Sequence, residues 1–517
     1  MPNVADPDQA PESLAQKSHF QVGVSPLLLW ALPLVFLAVF FFLPLGVVFR
    51  LAVEAALRQG LSPGLAQQIL RPLGFTIFQA LLSTLLTLLV GLPAAYVFAR
   101  FTFPGKGLLR VLTTLPFILP TVVVAASYNA LLGPRGWLNI LLMRALGLDH
   151  PPVQLLNSLA AILLAHVFYN STVIIRVVGT AWEQLDPRLE SAARVLGASA
   201  WRAFWEITLP LLRPALLAAL LLVFMFDFTS FGVILLLGGP RFATIEVEIY
   251  VQALQMLNLP VAGLLSALQL LFTFLLAAAY SSLAGQRNIP LAPRVHGEGM
   301  RNAKNWRERL VVWSVVVLLV VLFVSPLAAL AARSVSRLEP ERGEREGFTP
   351  GITLDYYQEL FINRRGALFY VPPVEAARNS LVYAGVTVII SLALGFLAAY
   401  SLSRRWRINR VLDPLLMLPL GASAVTLGLG FIITFNRPPL DVRAFPWLIP
   451  IAHSLVALPF VVRTLQPALA SIPVSLRQAA AVLGASPWQV WREVDLPIVA
   501  RAALVSAIFS FTISLGE

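Results

Sequence analysis

Chemistry inside an apolar chain falls to the few polar side chains lodged there, and this sequence offers a short set. Asp227 is the one acid well within a long apolar run. Thr229 and Ser230 follow it, and Ser510, Thr512 and Ser514 stand in a matching later run. An ionisable group at membrane depth is costly enough to mark a solute path or a relay. Asp227 therefore leads these six candidate translocation-pathway residues. For each of the other five the plainer reading is a hydroxyl bonded to its own helix backbone. His166 and His453 occupy matching places in two apolar runs, which favours a shared structural hydrogen bond over a proton relay. The chain has no cysteine, so disulfides and thiolate metal sites are excluded, and no metal site is expected.

The usual nucleotide cradle is missing too. Gly105-Lys106-Gly107 lacks both the leading glycine and the hydroxyl residue of a phosphate loop, and reads as a tight basic turn. No catalytic residue and no cofactor are expected in this chain. Uphill transport then needs an ATPase partner or an ion gradient. A gradient-driven carrier is the main rival reading, since such carriers also show six-plus-six repeats. A passive channel wants a ring of like groups, which two halves with mismatched polar residues do not supply.

The elements that must position these residues are membrane helices. Of the 517 residues 58% are hydrophobic and 12% charged, half the roughly 25% of a soluble domain. That excludes a soluble enzyme, a disordered chain and a secreted disulfide scaffold. The net charge of +12 is not gathered into a basic domain, so it argues for membrane topology and a lipid bilayer, with no nucleic acid partner. Eleven runs are long enough to span about 30 Å of hydrocarbon. They are Pro26–Phe49, Pro72–Ala99, Val111–Pro134, Pro151–Ile175, Pro214–Leu237, Ile249–Gln286, Leu310–Ala332, Asn379–Ser403, Pro414–Asn436, Ala444–Val462 and a last one from Leu496 to Gly516. Trp137–Leu146 is too short to cross and reads as an interfacial helix. The first run has no basic leader before it, so it is not a cleavable signal peptide. With the N-terminus cytoplasmic, 23 of the 38 lysines and arginines fall inside, which sets the orientation.

An internal repeat organises the chain. Ser191-Ala-Ala-Arg-Val-Leu-Gly-Ala-Ser-Ala-Trp201 recurs as Gln478-Ala-Ala-Ala-Val-Leu-Gly-Ala-Ser-Pro-Trp488, 287 residues later. The same offset pairs His166 with His453, Arg176 with Arg463 and Leu209-Pro210 with Leu496-Pro497. Upstream, Gly91-x-x-Ala-Ala-Tyr96 matches Gly395-x-x-Ala-Ala-Tyr400. Both long motifs fall on the cytoplasmic side, so the repeat is parallel. The expected fold is an all-α polytopic membrane protein of two parallel halves, about six helices each. A cytoplasmic tail covers 1–24 and the first half 25–286, with its repeated loop near 182–213. A basic cytoplasmic linker covers 287–309, and the second half 310–517, with its loop near 469–500. At this offset the second half stops opposite Ser230, so it reads as truncated before its last helix.

Each repeated loop reads as two short helices with a sharp break. Asp186-Pro187 supplies a cap and a first-turn proline. Gly197 and Gly484 fall where a left-handed terminating residue is wanted. Ser199 and Ser486 can cap the restart, and Trp201 and Trp488 suit docking on a cytoplasmic partner. An amphipathic loop on the headgroups is the bland alternative, and two copies in register argue against it.

These loops resemble the EAA motif of binding-protein-dependent ABC importer permeases, which reads Glu-Ala-Ala, three residues, Gly, then a hydrophobic-x-Leu-Pro close. The matching residues are Ser191, Ala192, Ala193, Gly197 and Ile207-Thr-Leu-Pro210, then Gln478, Ala479, Ala480, Gly484 and Val494-Asp-Leu-Pro497. The leading glutamate is Ser191 in one copy and Gln478 in the other, and Glu190 stands one residue earlier. The resemblance implies a type I, MetI-like permease whose loops, with Ser199, Trp201, Ser486 and Trp488, couple to an ATPase. It implies two copies of a cytoplasmic ABC ATPase holding ATP and Mg, an extracytoplasmic solute-binding protein, and a bacterial or archaeal plasma membrane. Both halves in one chain, together with Ser230-Phe-Gly-Val-Ile-Leu-Leu-Leu-Gly-Gly-Pro240 and Thr244-Ile-Glu-Val-Glu-Ile-Tyr250, resemble ferric iron and thiamine permeases. Sulfate, molybdate, polyamine and phosphonate are the other solutes the family suggests.

Overall fold

The computed structural model describes residues 26–516 apart from 60–62, 118, 240, 286–299, 338–350, 363–371, 405, 437, 439 and 442–444. The tail 1–24 and most of the basic linker lie outside the described residues. In the first repeat the helices are α1 (Leu29–Leu57), α2 (Pro63–Arg100), α3 (Lys106–Leu112), α4 (Thr121–Leu132), α5 (Trp137–Leu146), α6 (Leu159–Gln184) and α7 (Pro187–Val195). They continue as α8 (Ala200–Phe228), α9 (Gly232–Leu237), α10 (Ile245–Tyr250) and α11 (Leu259–Gly285). The second repeat holds α12 (Trp306–Ser334), α13 (Pro373–Leu402), α14 (Asn409–Met417), α15 (Ala424–Thr434), α16 (Leu448–Ala470), α17 (Val474–Val482) and α18 (Trp488–Gly516). Two pairs of two-residue strands are the described β-structure, one joining Phe101–Thr102 to Arg301–Asn302.

Nine of the described helices are long and apolar enough to cross a membrane, and a bent pair makes a tenth span. Eleven uninterrupted runs were expected, and four of them are broken: Pro214–Leu237 between Phe228 and Gly232, Ile249–Gln286 over 256–258, and the third span of each half. Pro414–Asn436 becomes α14, a turn over Leu418–Gly421 and α15, bent by 97°. Val111–Pro134 becomes the end of α3, a turn over Leu115–Phe117 and the 12-residue α4. Pro116 and Pro120 in one half, and Pro419 in the other, remove backbone donors and block a continuing helix. Ser423 then caps α15 by accepting from the Thr426 amide at 3.2 Å. Both repeats break at the same point, so the break belongs to the architecture.

Each repeat also holds a close helix crossing. A Cβ on Gly91 of α2 would lie 2.6 Å from Ile174 Cβ on α6, and one on Gly395 of α13 would lie 2.5 Å from Val461 Cγ1 on α16. Only glycine lets those backbones approach so closely, which accounts for the repeated Gly-x-x-Ala-Ala motif.

The first helix of each repeat is exchanged. Trp30, Phe36, Leu37, Phe41 and Leu45 of α1 are buried among Leu394, Leu455, Val461 and Val499 of the second repeat. Val312, Val315, Leu319 and Phe323 of α12 are buried among Val97, Val124, Tyr128 and Phe168 of the first. Trp30 Nε1 donates to Asn409 Oδ1 at 3.2 Å, fixing α1 against α14. A buried indole N–H needs such a partner, and this one is 379 residues away.

Candidate functional site: paired loops and a polar interior

The two repeated loops fold alike. Asp186 caps α7 by accepting from the Arg188 amide at 2.8 Å, with Pro187 in the first turn. Leu196 donates back to the Ala192 carbonyl and Ala198 to the Ala193 carbonyl, closing the helix across Gly197 at φ +92°. The second loop repeats this with Leu483 to Ala479, Ala485 to Ala480, and Gly484 at φ +85°. A side chain in that left-handed region costs about 1–2 kcal/mol, so both positions call for glycine. Ser199 then accepts from the Arg202 amide at 3.2 Å. Ser486 forms a reciprocal box, accepting from the Gln489 amide at 3.3 Å while Gln489 Oε1 accepts from the Ser486 amide at 2.7 Å.

Caps and breaks together push apolar residues outward. Val195 and Leu196 are 87% and 89% exposed, and Val482 and Leu483 are both 87% exposed. Trp201 and Trp488 add exposures of 70% and 67%. Exposed apolar patches of this kind mark interaction surfaces. Behind them the loops are anchored, Phe204 stacking on Trp182 and Trp491 meeting Phe396 edge-on. A π turn at Phe204–Thr208 and another at Trp491–Asp495 lead into the two Leu-Pro pairs. At the position of the missing glutamate, Ser191 donates back to the Pro187 carbonyl at 3.0 Å, and Gln478 is exposed. Arg477, the counterpart of Glu190, pairs with Asp495 at 2.9 Å and braces its own loop.

The second place with chemistry is the polar interior. Asp227, near the end of α8, is fully buried. Asn170 Nδ2 on α6 donates to its Oδ1 at 2.7 Å, and His166 Nδ1 lies 3.3 Å from the same oxygen. Gln79 on α2 donates to the Asp227 backbone carbonyl at 2.7 Å. Ser230 meets the other ring nitrogen of His166 at 2.8 Å. Asp227, His166 and Ser230 thus form one cluster linking α6 to the break after α8. In the second repeat His453 Nδ1 meets Ser514 Oγ at 2.8 Å, Ser514 meets Thr387 at 3.2 Å, and Ser391 donates to Ser510 at 3.1 Å. Thr229 and Thr512 stand apart, each bonding back to its own helix at the Met225 and Ile508 carbonyls.

Sequence reasoning passed over Glu246. It lies in the six-residue α10, whose Ile245 and Ile249 are buried against Phe228, Val261 and Leu429. Glu246 is 1% exposed. Its carboxylate accepts from Gln269 of α11 and, at 2.8 Å, from Ser423 at the break of the second repeat. The only signal was the acid pair in Thr244-Ile-Glu-Val-Glu-Ile-Tyr250, and one of the two, Glu248, bonds Gln252 one turn on.

The described structure is a helical membrane fold with a paired loop broken at Gly197 and Gly484. The family described as the binding-protein-dependent transport system inner membrane component matches residues 88–341 and 391–517, and the chain belongs to it. It is a fused, two-half permease of the ABC importer class, and membership in that class replaces the gradient-driven alternative. Thiamine transport system permease proteins of Brucella abortus and Escherichia coli are each 27% identical to it. Both alignments cover 86% of this chain, and 77% and 78% of those proteins respectively. A probable sulfate transport system permease of Marchantia polymorpha is 32% identical over 179 residues, 35% of this chain and 60% of that one. Among solved structures, a bacterial ABC transporter importing the polysaccharide alginate matches 50% of this chain and 96% of its own at 20% identity, with a TM-score of 0.41.

Proposed function

We propose that this permease carries thiamine, or a solute of its class, delivered by an extracytoplasmic binding protein and driven by two copies of a cytoplasmic ABC ATPase. The observation that carries the coupling role is the pair of exposed Val-Leu and Trp patches on loops broken by Gly197 and Gly484. The coupling surface comprises Ser191, Ala192, Ala193, Gly197, Ser199 and Trp201, with Gln478, Ala479, Ala480, Gly484, Ser486 and Trp488. ATP and Mg bind on the partner. The N-terminus and both loops face the cytoplasm, in keeping with the charge bias. The thiamine assignment draws on relatives that align along most of the chain.

The mechanism is alternating access. Closure of the ATPase pair draws the two loops together, and the spans attached to them swing as rigid bodies. The exchanged α1 and α12 make each half grip the other, so motion at one loop is felt by both. Asp227 and Ser230 in one half, with Ser510 and Ser514 in the other, stand along the path. The test places valine at Gly197 and Gly484 together and follows thiamine uptake in proteoliposomes holding permease, ATPase and binding protein. Uptake falls about tenfold or more, the effect of losing about 1.4 kcal/mol of docking, while the permease still inserts. Uptake at the wild-type rate overturns the coupling role.

A further inference from the structure

We propose that Glu246, with Gln269 and Ser423, forms a cation-recognising station on the seam between the two halves, where a small positively charged organic solute is met in transit. This rests on the thiamine-class reading and names the group that would select for charge. Glu246 belongs to the first repeat, and Ser423 sits at the 97° break of the second. Their hydrogen bond therefore spans the surface along which the halves must part in alternating access. A carboxylate buried to this degree, 1% exposed, is costly unless it is paired or serves a function.

A second observation points to a ligand there. Gln269 donates one amide arm to Glu246, and its Oε1 has no hydrogen-bond partner. The hydroxyls of Thr244, Ser266 and Thr426 are also unpartnered, and all four residues are at most 1% exposed. Thr244 lies two residues before Glu246, Ser266 one turn before Gln269, and Thr426 one turn after Ser423. Buried polar atoms normally find partners, so an unpartnered amide oxygen on Gln269, which itself holds the acid, and three unpartnered hydroxyls within a turn of Glu246, Gln269 and Ser423 in sequence describe a site that is finished by something else. Acceptors and one negative charge suit a cation that also carries N–H or O–H donors. Ile245, Ile249 and Leu429 supply the apolar wall such a solute needs around its ring.

The experiment uses proteoliposomes of the full permease with its ATPase and binding protein, and thiamine as the probe. Wild type is measured first, and if it accumulates no thiamine, the substrate reading and this station both fall. If wild type does accumulate it, Glu246→Gln, which keeps the acid's shape, lowers uptake about tenfold or more through loss of the charge. ATP hydrolysis stimulated by the loaded binding protein stays within about twofold, and Glu246→Asp recovers part of the uptake. Uptake by Glu246→Gln equal to wild type overturns the station while leaving the thiamine reading intact. Loss of uptake and stimulated hydrolysis together overturns it as well, because that marks a merely structural acid.

Discussion

The two halves share a frame and differ in what fills it. In each, a histidine on the helix before the repeated loop faces the same position on the helix after it, His166 toward Asp227 and His453 toward Ser514. In the first half that position is a buried acid held by Asn170, and in the second it is a serine, with Thr387 and Ser510 nearby. Asn170 has Ala457 as its counterpart, so the second half lacks the donor that supports a carboxylate. What is constant between the halves is the tie from the histidine to the helix after the loop, and what varies is the group that meets it, an acid in the first half and a hydroxyl in the second.

Removing the variable group breaks that comparison most sharply. Asp227→Ala strands the Asn170 amide in a dry interior and takes the acid from beside His166, and should destabilise the permease by about 3 kcal/mol. Ser514→Ala removes a neutral hydroxyl and should cost about 1 kcal/mol. Thermal unfolding of both variants in one detergent measures the contrast, and equal losses would show that the halves use the position alike.

The exchange of first helices gives an intermediate effect. Asn409 accepts from Trp30 and donates to the Ser401 and Arg404 carbonyls, at 3.2, 2.7 and 2.6 Å. Asn409→Leu should lower stability by about 2 kcal/mol, since it leaves the Trp30 indole unpaired. Thermal unfolding in detergent checks it, and an unchanged midpoint would mean that apolar packing alone holds α1 on the second half.

The smallest effect concerns Lys106, whose repeat counterpart is Arg410. Its ammonium donates to the Phe98 and Phe101 carbonyls at 2.7 and 2.8 Å. Burial, followed by the neighbouring Arg110, lowers its pKa from 10.5 to about 8. Between those values the unfolded chain holds a proton that the folded one has released, so stability rises with pH across that window. Against Lys106→Met, wild type should gain stability from pH 8 to 10.5, by an amount that half-exposure keeps small. Parallel pH curves for the two proteins would remove Lys106 from this account.

Much of the site could be read in the chain itself. Asp186, Ser199 and Ser486 cap the helices where their types and spacing predict, and Gly197 and Gly484 take the left-handed conformation expected of a helix stop. These are local effects, settled within a turn or two of backbone. Thr229 and Thr512 follow the plainer reading, bonding to their own helices, while Ser230 and Ser514 do not. The breaks in the third spans were masked because an apolar run stays apolar across Pro116, Pro120 and Pro419, and hydropathy does not register a missing backbone donor. Glu246 was hidden for a different reason, since its partner Ser423 lies 177 residues away on a helix of the other half.

Apolar length, basic bias and the 287-residue repeat determined by themselves that this is a membrane protein of two parallel halves with twin loops, because spanning a bilayer and ending a helix depend on neighbours in sequence. Which core each first helix enters, which hydroxyl reaches which histidine, and which acid lies on the seam were decided only by tertiary structure. Periodicity states that a face is apolar and must be covered. It does not state by what, since Leu, Val and Phe of either half offer nearly the same contact energy, and the choice is made by the shape of the assembled whole.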